Sequence, residues 1–540
     1  MLVVSVEQMR AMEREADARG VSYAEMMERA GRGVAALVDA EYGEEEARRV
    51  IALVGSGNNG GDALVALESL ARAGWQAQAY LVRPRPENDA LLERARSAGV
   101  EIAAASDDPE YRILTAWLLA TDVLLDGVLG TGFQLPLREE IASVLRVARQ
   151  YADDLHVIAI DCPSGVDCDS GEAAEEAVPA EVTLCMQAVK QGLLRYPAFE
   201  LAGELRVVDL NLPEVLKAAG EVQLFMADGE TAARYLPERP DTAHKGTFGT
   251  LLIVAGSTYY TGAALLAARG AYRIGTGLVR LAVPAPLHAS LAGQFPEATW
   301  LLLPHEMGMT AEGAADLVLK NLERVTALLI GPGLGNEATT AGFIEKLLTG
   351  APSSSKPASF GFLTAQVVKP SDGPVKLPPL VMDADGLRLM ARLKNWPELL
   401  PPGSILTPHP GEMSALTGLT VEQIQSDRWE TARTYARKWK TTVILKGALT
   451  VIADENGQAC IIPVATSALS KAGSGDVLAG LVAGLLAQGR PAWEAAVAGA
   501  WIHAQAGLAA AQNLGSPAPV MASDVIEAVP GVLWALQFES

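Results

Sequence analysis

The sequence predicts an α/β protein of two domains, each a largely parallel sheet covered by helices. Three observations carry this. Short apolar runs alternate with helical patterns along most of the 540 residues, the pattern of parallel strands buried on both faces. The length exceeds one ordinary core at about 150 residues per domain. Two glycine-rich loops, GSGNNGGD over 55–62 and SKAGSGD over 470–476, lie at the junctions of apolar runs, and each ends on an aspartate. Two such cradles imply two active sites. An aspartate beside a phosphate cradle does chemistry or holds a cation, because its charge would otherwise repel the ligand.

Composition narrows the class. Apolar residues at 49% and charged residues at 20% are ordinary for a globular chain. The 51 glycines favour close helix–sheet packing. A net charge of −21 argues against nucleic-acid or anionic-membrane partners, which need a basic footprint, but not against small anions. Cys162, Cys168, Cys185 and Cys460 form no C-x-x-C pair, which argues against zinc and against a disulfide framework. Charges recur too early over 5–14 for a signal peptide. The apolar run 477–487 is well short of the ~20 residues that span a bilayer. A soluble cytoplasmic protein is expected, acting on small molecules and assembled as a homo-oligomer.

In chain order, amphipathic helices are expected over 6–19 and 23–39, then strands over 49–54, 76–82, 122–126, 156–161, 182–185 and 205–210. Helical patterns fill most of the gaps. This is a Rossmann-like three-layer α/β/α arrangement, spanning 1–213. A linker is expected over 214–227 and a second α/β domain over 228–540, with strands at 250–254, 278–283, 327–330, 380–383, 404–407, 442–445 and 451–453. The Ser/Pro/Lys-rich stretch within 351–379 has no period and reads as a loop insertion.

Ligands of such folds bind beyond the strand carboxyl ends. In the first domain those ends carry Asn58, Asn59, Asp126 and Ser164, an oxygen-only set suited to a hard cation. Gly130, Thr131 and Gly132 offer backbone amides to a phosphate. Asp161, held by the Pro163 turn, is the best acid–base candidate, and Lys190 can supply a positive charge. Gly55-x-Gly57-x-x-Gly60 matches the dinucleotide fingerprint. Asp62, in the first helical turn, suits naked pyrophosphate poorly, and Arg83 stands where a dehydrogenase wants an acid.

Together N-N-G-G-D, D-G-x-x-G-T-G, D-x-P-S-G and the Met27–Gly31 box MERAG resemble the NAD(P)H-hydrate epimerase family over 1–213. The resemblance implies that Asn58, Asn59, Gly60, Gly61 and Asp62 contact a hydrated dinucleotide. It implies the same of Asp161 and of the run 130–136, which includes Gly130, Thr131, Gly132 and Phe133. It implies potassium at Asn59, Asp126 and Ser164. Ala63 departs from the family's glycine, and its methyl is expected to tighten the loop.

In the second domain, Gly473, Ser474 and Gly475 open a small-residue helix whose amides form an anion hole. Asp476 is placed to take a proton from an attacking hydroxyl, worth about 10²–10⁴ in rate. No G-x-x-x-x-G-K-[ST] is present, so this is not a P-loop enzyme. His409 stands in a turn stiffened by prolines on both sides. With Gly331–Gly335, H-P-G-E over 409–412 and K-A-G-S-G-D over 471–476, the region 225–540, apart from 351–379, resembles the ribokinase-like superfamily, most closely its NAD(P)H-hydrate dehydratase branch.

That resemblance implies substrate contacts at Gly333 and at His409, Pro410, Gly411 and Glu412, onward to Ala415. It implies ADP contacts at Lys446, Gly447, Ala448, Leu449 and Thr450. Further ADP contacts are implied over 467–475, including Ser467, Lys471, Gly473, Ser474 and Gly475. Asp476 becomes the catalytic base, and Glu412 the residue linked to magnesium through water. Asp383-Ala-Asp-Gly386 replaces the family's Asp-Ala-Asp-Ala.

Hydroxide is a poor leaving group from a hydrated nicotinamide ring. Phosphorylating it, with Asp476 as base, makes phosphate the leaving group, and elimination restores NAD(P)H. An epimerase on the same chain, with Asp161 assisting loss and return of the hydroxyl, explains the fusion. A vitamin or sugar kinase with an accessory first domain is the alternative. It would leave a stable phosphorylated product and would not need His409. A first domain used only for sensing or assembly has no use for Asn58, Asn59, Asp126 and Asp161.

Overall fold

A computed structural model describes residues 1–43, 48–86, 88–350 and 376–538. The expected insertion falls, over 351–375, outside the described residues. The chain divides into two compact units, Met1–Leu224 and Phe225–Ser540.

The first unit holds a seven-stranded sheet. Its strands are β1 (Arg49–Val54), β2 (Gln76–Leu81), β3 (Glu101–Ala104), β4 (Val123–Gly127), β5 (His156–Ile160), β6 (Val182–Met186) and β7 (Glu204–Val208). Their spatial order is β3-β2-β1-β4-β5-β6-β7, every neighbour parallel. This is the doubly wound order, and it reverses between β1 and β4. The interior strands β1 and β4 to β6 are buried almost throughout, because helices cover both faces. Helix Asn58–Arg72 follows β1 and buries most of its length. A separate parallel pair joins Val3–Val4 to Val189–Lys190, tying the first helix, Val6–Ala18, to the Lys190 segment.

The second unit holds a ten-stranded sheet. Its strands are β8 (Leu224–Met226), β9 (Thr250–Val254), β10 (Leu278–Pro284), β11 (Thr299–Leu303), β12 (Ala327–Ile330), β13 (Leu380–Met382), β14 (Ile405–Leu406), β15 (Thr442–Leu445), β16 (Val451–Ala453) and β17 (Ala459–Ile461). The order is β8-β17-β16-β15-β14-β13-β12-β9-β10-β11. It is parallel from β11 to β15 and antiparallel through β16 and β17. The apolar run of helix Ser474–Ala487 is buried from Val477 to Ala487 in the core on one sheet face. Its hydrophobicity serves packing. Among the described residues no helix is long and apolar enough to cross a membrane.

The strands β3, β8, β11 and β17, which the sequence reading does not anticipate, lie at or beside sheet edges. β3 and β11 are only partly buried, so they lack the continuous apolar signal of interior strands.

Candidate active sites

In the first unit a cavity of about 1060 Å³ opens at the carboxyl ends of the strands, beside the β1/β4 reversal. Asn58, Asn59, Asp62, Gly130, Thr131, Gly132, Phe133 and Asp161 line it. The helix after β1 begins at Asn58, one turn earlier than the sequence suggests for Asp62, with Gly57 as its cap. The first internal helix bond closes only from Gly61 N to Gly57 O, at 3.2 Å. The preceding amides are therefore open donors at a positive helix end, a natural seat for a phosphate. Gly60 permits this tight entry, since a Cβ there would lie 2.0 Å from Gly55 O.

Behind that loop lies a buried oxygen cluster. Asp126, 1% exposed, accepts from Ser164 Oγ at 2.5 Å and from Ser164 N at 2.7 Å. Leu129 N donates to Ser164 Oγ at 2.9 Å. Asn59 Nδ2 donates to Leu129 O at 2.8 Å, while buried Asn59 Oδ1 finds no partner among the described residues. Burial pushes the Asp126 carboxyl up, against the pull of the Ser164 bonds. An orphaned amide oxygen beside a buried carboxylate fits a cation with oxygen ligands.

Asp161 follows β5 at φ 65°, a left-handed conformation that costs energy in a non-glycine residue. Its Oδ1 accepts from Met186 N at 3.0 Å and from Lys190 Nζ. Lys190 is buried and also donates to Met186 O at 3.0 Å and Ala188 O at 3.2 Å. Burial would pull its proton affinity down, yet the Asp161 charge leaves it raised. Lys190 therefore orients Asp161 from behind and does not line the cavity. Burial first, then the charges of Asp161 and Glu13, holds the Asp62 carboxyl well above the usual carboxylate range. Glu13, which the sequence reading passes over, lines the same cavity from the first helix. A lone glutamate on an amphipathic helix carries no local signal.

Ala63 sits in the helix–sheet core, outside the cavity lining. A Cβ on Gly127 would lie 2.7 Å from the Ala63 methyl. The missing side chain at Gly127 makes room for the extra carbon at Ala63.

In the second unit several carboxyls gather around one ammonium. Lys446 Nζ lies 2.7 Å from Asp383 Oδ1 and 3.7 Å from Glu412 Oε2. Thr407 Oγ1 donates to Asp383 Oδ1 at 2.7 Å. Ala384, at φ 50°, separates Asp383 from Asp385, whose Oδ2 accepts from Gly335 N at 2.9 Å. Asp476 is pushed up to about 7, by burial first and then by Asp383 and Asp385, with Lys446 opposing. An excess of carboxyls over ammonium suits a cation-carried polyphosphate.

His409 caps helix Pro410–Thr417, its Nδ1 accepting from Gly411 N at 3.0 Å and Glu412 N at 3.4 Å. His409 Nε2 lies 3.3 Å from Glu412 Oε1 and 3.4 Å from an Arg388 guanidinium nitrogen. Glu412 Oε2 accepts from His409 N at 2.9 Å. With Lys446 also close, Glu412 is too engaged to be a bare metal ligand and fits a contact through water.

Gly473, at φ 88°, starts helix Ser474–Ala487, and the first regular helix bond runs from Val477 N to Gly473 O at 3.1 Å. Gly475 and Asp476 amides find no acceptor among the described residues. Lys446 Nζ faces this loop, 3.6 Å from where a Gly475 Cβ would stand. In the loop 446–450, Gly447 and Ala448 are exposed, the Leu449 side chain is buried, and Thr450 Oγ1 donates to Gly447 O at 2.9 Å. Gly333 is half-buried, and Ser467 and Lys471 are exposed. The sequence reading misses His503, a buried histidine 3.3 Å from Ser474 Oγ.

A family model described as NAD(P)H-hydrate dehydratase matches residues 251–354 and 365–530, and one described as YjeF-related protein N-terminus matches 23–192. A bifunctional NAD(P)H-hydrate repair enzyme from Moorella thermoacetica is 34% identical over 95% of this chain and 93% of its own. One from Gloeobacter violaceus is 35% identical over 94% of this chain and 92% of its own. The chain belongs to the bifunctional NAD(P)H-hydrate repair enzyme family.

These matches do not favour the vitamin or sugar kinase alternative. A solved ADP/ATP-dependent NAD(P)H-hydrate dehydratase from Bacillus subtilis, crystallised with ATP and magnesium, is 28% identical over 58% of the chain and 98% of its own, with TM-score 0.47. Within this repair-enzyme family member, Asp161, Lys190, Asp476 and His503 fall inside the matched segments. Glu13 precedes the segment that begins at residue 23.

Proposed function

We propose that this chain repairs hydrated NADH and NADPH in two steps. The unit Met1–Leu224 interconverts the R and S hydrates. The unit Phe225–Ser540 dehydrates the S form with ADP, through a phosphorylated intermediate, releasing AMP and phosphate. The observation that carries the reading is Asp476, a carboxyl pushed up to about 7 at the open amides of Gly475 and Asp476. A base of that affinity is half ionised near neutrality and lies beside an anion cradle.

In the second unit the ring hydroxyl would lose its proton to Asp476 as the phosphoryl group arrives. The Gly473–Gly475 loop and Lys446 would steady its charge, and elimination of phosphate would restore the double bond. The loops 446–450 and 467–475 would hold ADP, while Gly333 and His409–Glu412 would hold the hydrated nucleotide. Glu412 would position magnesium through water, supplying charge neutralisation for the polyphosphate.

In the first unit the open amides at Asn58–Gly60 and the Gly130–Phe133 run would seat the dinucleotide. Asp161, oriented by Lys190, would move the proton that lets the hydroxyl leave and return. Asn59, Asp126 and Ser164 would hold potassium, supplying positive charge beneath the phosphate loop. The proposal extends to a cytoplasmic homo-oligomer acting on small molecules, with neither nucleic acid nor membrane as partner.

The test is a single assay. The full chain is mixed with both epimers of hydrated NADH, ADP or ATP is added, and reduced-nicotinamide absorbance is followed. Full recovery with ADP is expected. No recovery with either nucleotide overturns the dehydratase, and recovery stopping near half overturns the epimerase.

A further inference from the structure

Epimer exchange poses a geometric problem that one fixed carboxylate does not solve. Hydration of an enamine puts the hydroxyl on the ring carbon bonded to nitrogen. Inversion there breaks the C–O bond on one ring face and remakes it on the other. A proton must be given on the first face and taken on the second. Asp161 Oδ1 is held by Met186 N at 3.0 Å and by buried Lys190. A carboxylate so tied has one direction of approach.

We propose that Glu13 is the second acid–base residue of the epimerase site, serving the ring face opposite to Asp161. The inference rests on the epimerase reading of this unit. Glu13 lies on helix Val6–Ala18 and lines the same cavity as Asp161 and Asp62. Its side chain makes no hydrogen bond or ion pair with any described residue, so its oxygens are free for a ligand. Its helix is nonetheless fixed. Met9, Met12 and Ala16 are buried, Ser5 and Gln8 form a capping box, and Val4 pairs with Lys190. Val6 N and Gln191 Nε2 both donate to Asp169 Oδ1 at 3.0 Å. The helix carrying Glu13 is thereby bolted to the segment that orients Asp161.

The charges around Glu13 suit a group that gives up and regains a proton. Burial raises its proton affinity first. Lys190, Arg10 and Arg14 lower it, and Asp161 raises it. Asp62 also faces this cluster, and its deeper burial holds its carboxyl well above the usual carboxylate range. In one direction the Glu13 carboxylic acid protonates the ring hydroxyl. Water leaves with the C–O electron pair, and the nitrogen lone pair forms the C=N⁺ bond. Water adds on the other face, Asp161 takes its proton, and the π pair returns to nitrogen. The other epimer runs this in reverse, and solvent restores both carboxyls.

The test follows exchange between purified epimers by NMR, with the full chain and saturating potassium. Native protein must exchange them faster than buffer alone. If it does not, the epimerase reading fails, whatever Glu13 does. Given native exchange, Glu13→Gln is expected to slow kcat about 10²-fold or more in both directions with little change in KM. Glu13→Asp is expected to recover part of the rate and to shift the pH profile. ADP-driven repair of the S epimer by Glu13→Gln at the native rate shows the second unit intact, and an unchanged KM for exchange together with the recovery in Glu13→Asp shows the first unit folded. Exchange by Glu13→Gln within about 3-fold of native, or a loss confined to KM, overturns the proposal. So does loss of exchange in Asp62→Asn with retention in Glu13→Gln.

Discussion

Lys446 Nζ lies 2.7 Å from Asp383 Oδ1, turned away from the exposed turn that its own loop forms. In the proposed reading the loop 446–450 would meet a nucleotide through its backbone, since Thr450 Oγ1 donates to Gly447 O, while its lysine serves the carboxyl cluster. Lys446 is the charge that keeps Asp476 from being raised further.

Lys446→Met is therefore expected to damage the dehydration step more than nucleotide binding. A kcat loss of 10²-fold or more is expected, with a smaller change in KM for ADP. The residual activity should rise with pH through a higher midpoint than native, since Asp476 loses its nearby positive charge. Steady-state rates from pH 5.5 to 9 decide this, and an unchanged midpoint contradicts it.

For the native protein, Asp476 at about 7 sets the sign of the pH dependence. A general base must be ionised, so dehydration kcat should rise tenfold per pH unit below 7 and level off above it. Asp476→Asn should abolish dehydration and leave epimer exchange intact. A flat profile in the native protein excludes Asp476 as the base.

The legibility of this chain follows from how locally each signal is written. Interior strands announce themselves because both faces are buried, and the loops at their carboxyl ends carry glycines and acids within a few residues. Asp161, Asp476 and the 55–62 loop are legible for that reason. The edge strands β3 and β11 are short and half-exposed, so no apolar run marks them. Glu13 and His503 stay hidden because their relevance comes only from tertiary packing. Each lies on a helix whose pattern is explained by its own buried face. The direction of the Lys446 side chain is likewise invisible in a sequence motif that reads as a nucleotide loop.

Lys190 is 1% exposed and its charge faces Asp161. Lys190→Met removes one partner of a buried pair and should destabilise the first unit by about 3–5 kcal/mol. Adding Asp161→Asn should restore part of that stability while exchange stays absent. Chemical denaturation of the two variants measures it, and equal stability of the single and double variants contradicts the pairing.

Ala63→Gly tests whether the methyl matters to chemistry. Ala63 is buried within helix Asn58–Arg72 and packs into the helix–sheet core. The substitution should cost about 1 kcal/mol through helix propensity, plus a little lost packing. Exchange rates should stay within about 2-fold of native, because the residue does not line the cavity. A larger rate change would place the methyl's effect on the phosphate loop.

His503 and Asp476 oppose each other in the stability of the second unit. Asp476 is raised from 3.8 to about 7, so between those values the folded chain binds more protons and stability falls as pH rises. His503 is lowered from 6.5 to about 4, chiefly by burial and further by Lys446, so there the unfolded chain binds more and stability rises with pH. Each full shift corresponds to about 3–4 kcal/mol at most. Between pH 4 and 6.5 the two slopes nearly cancel in the native chain. His503→Gln should expose the falling slope, leaving the unit more stable at pH 4.5 than at pH 6.5. Asp476→Asn should expose the rising slope and gain stability over native above pH 7, where the native carboxylate is half-buried and charged. Thermal unfolding across pH 4–8 reads both, at about 1–2 °C per kcal/mol for a unit of this size. Parallel profiles for the two variants would show that neither group holds its proton as its surroundings dictate.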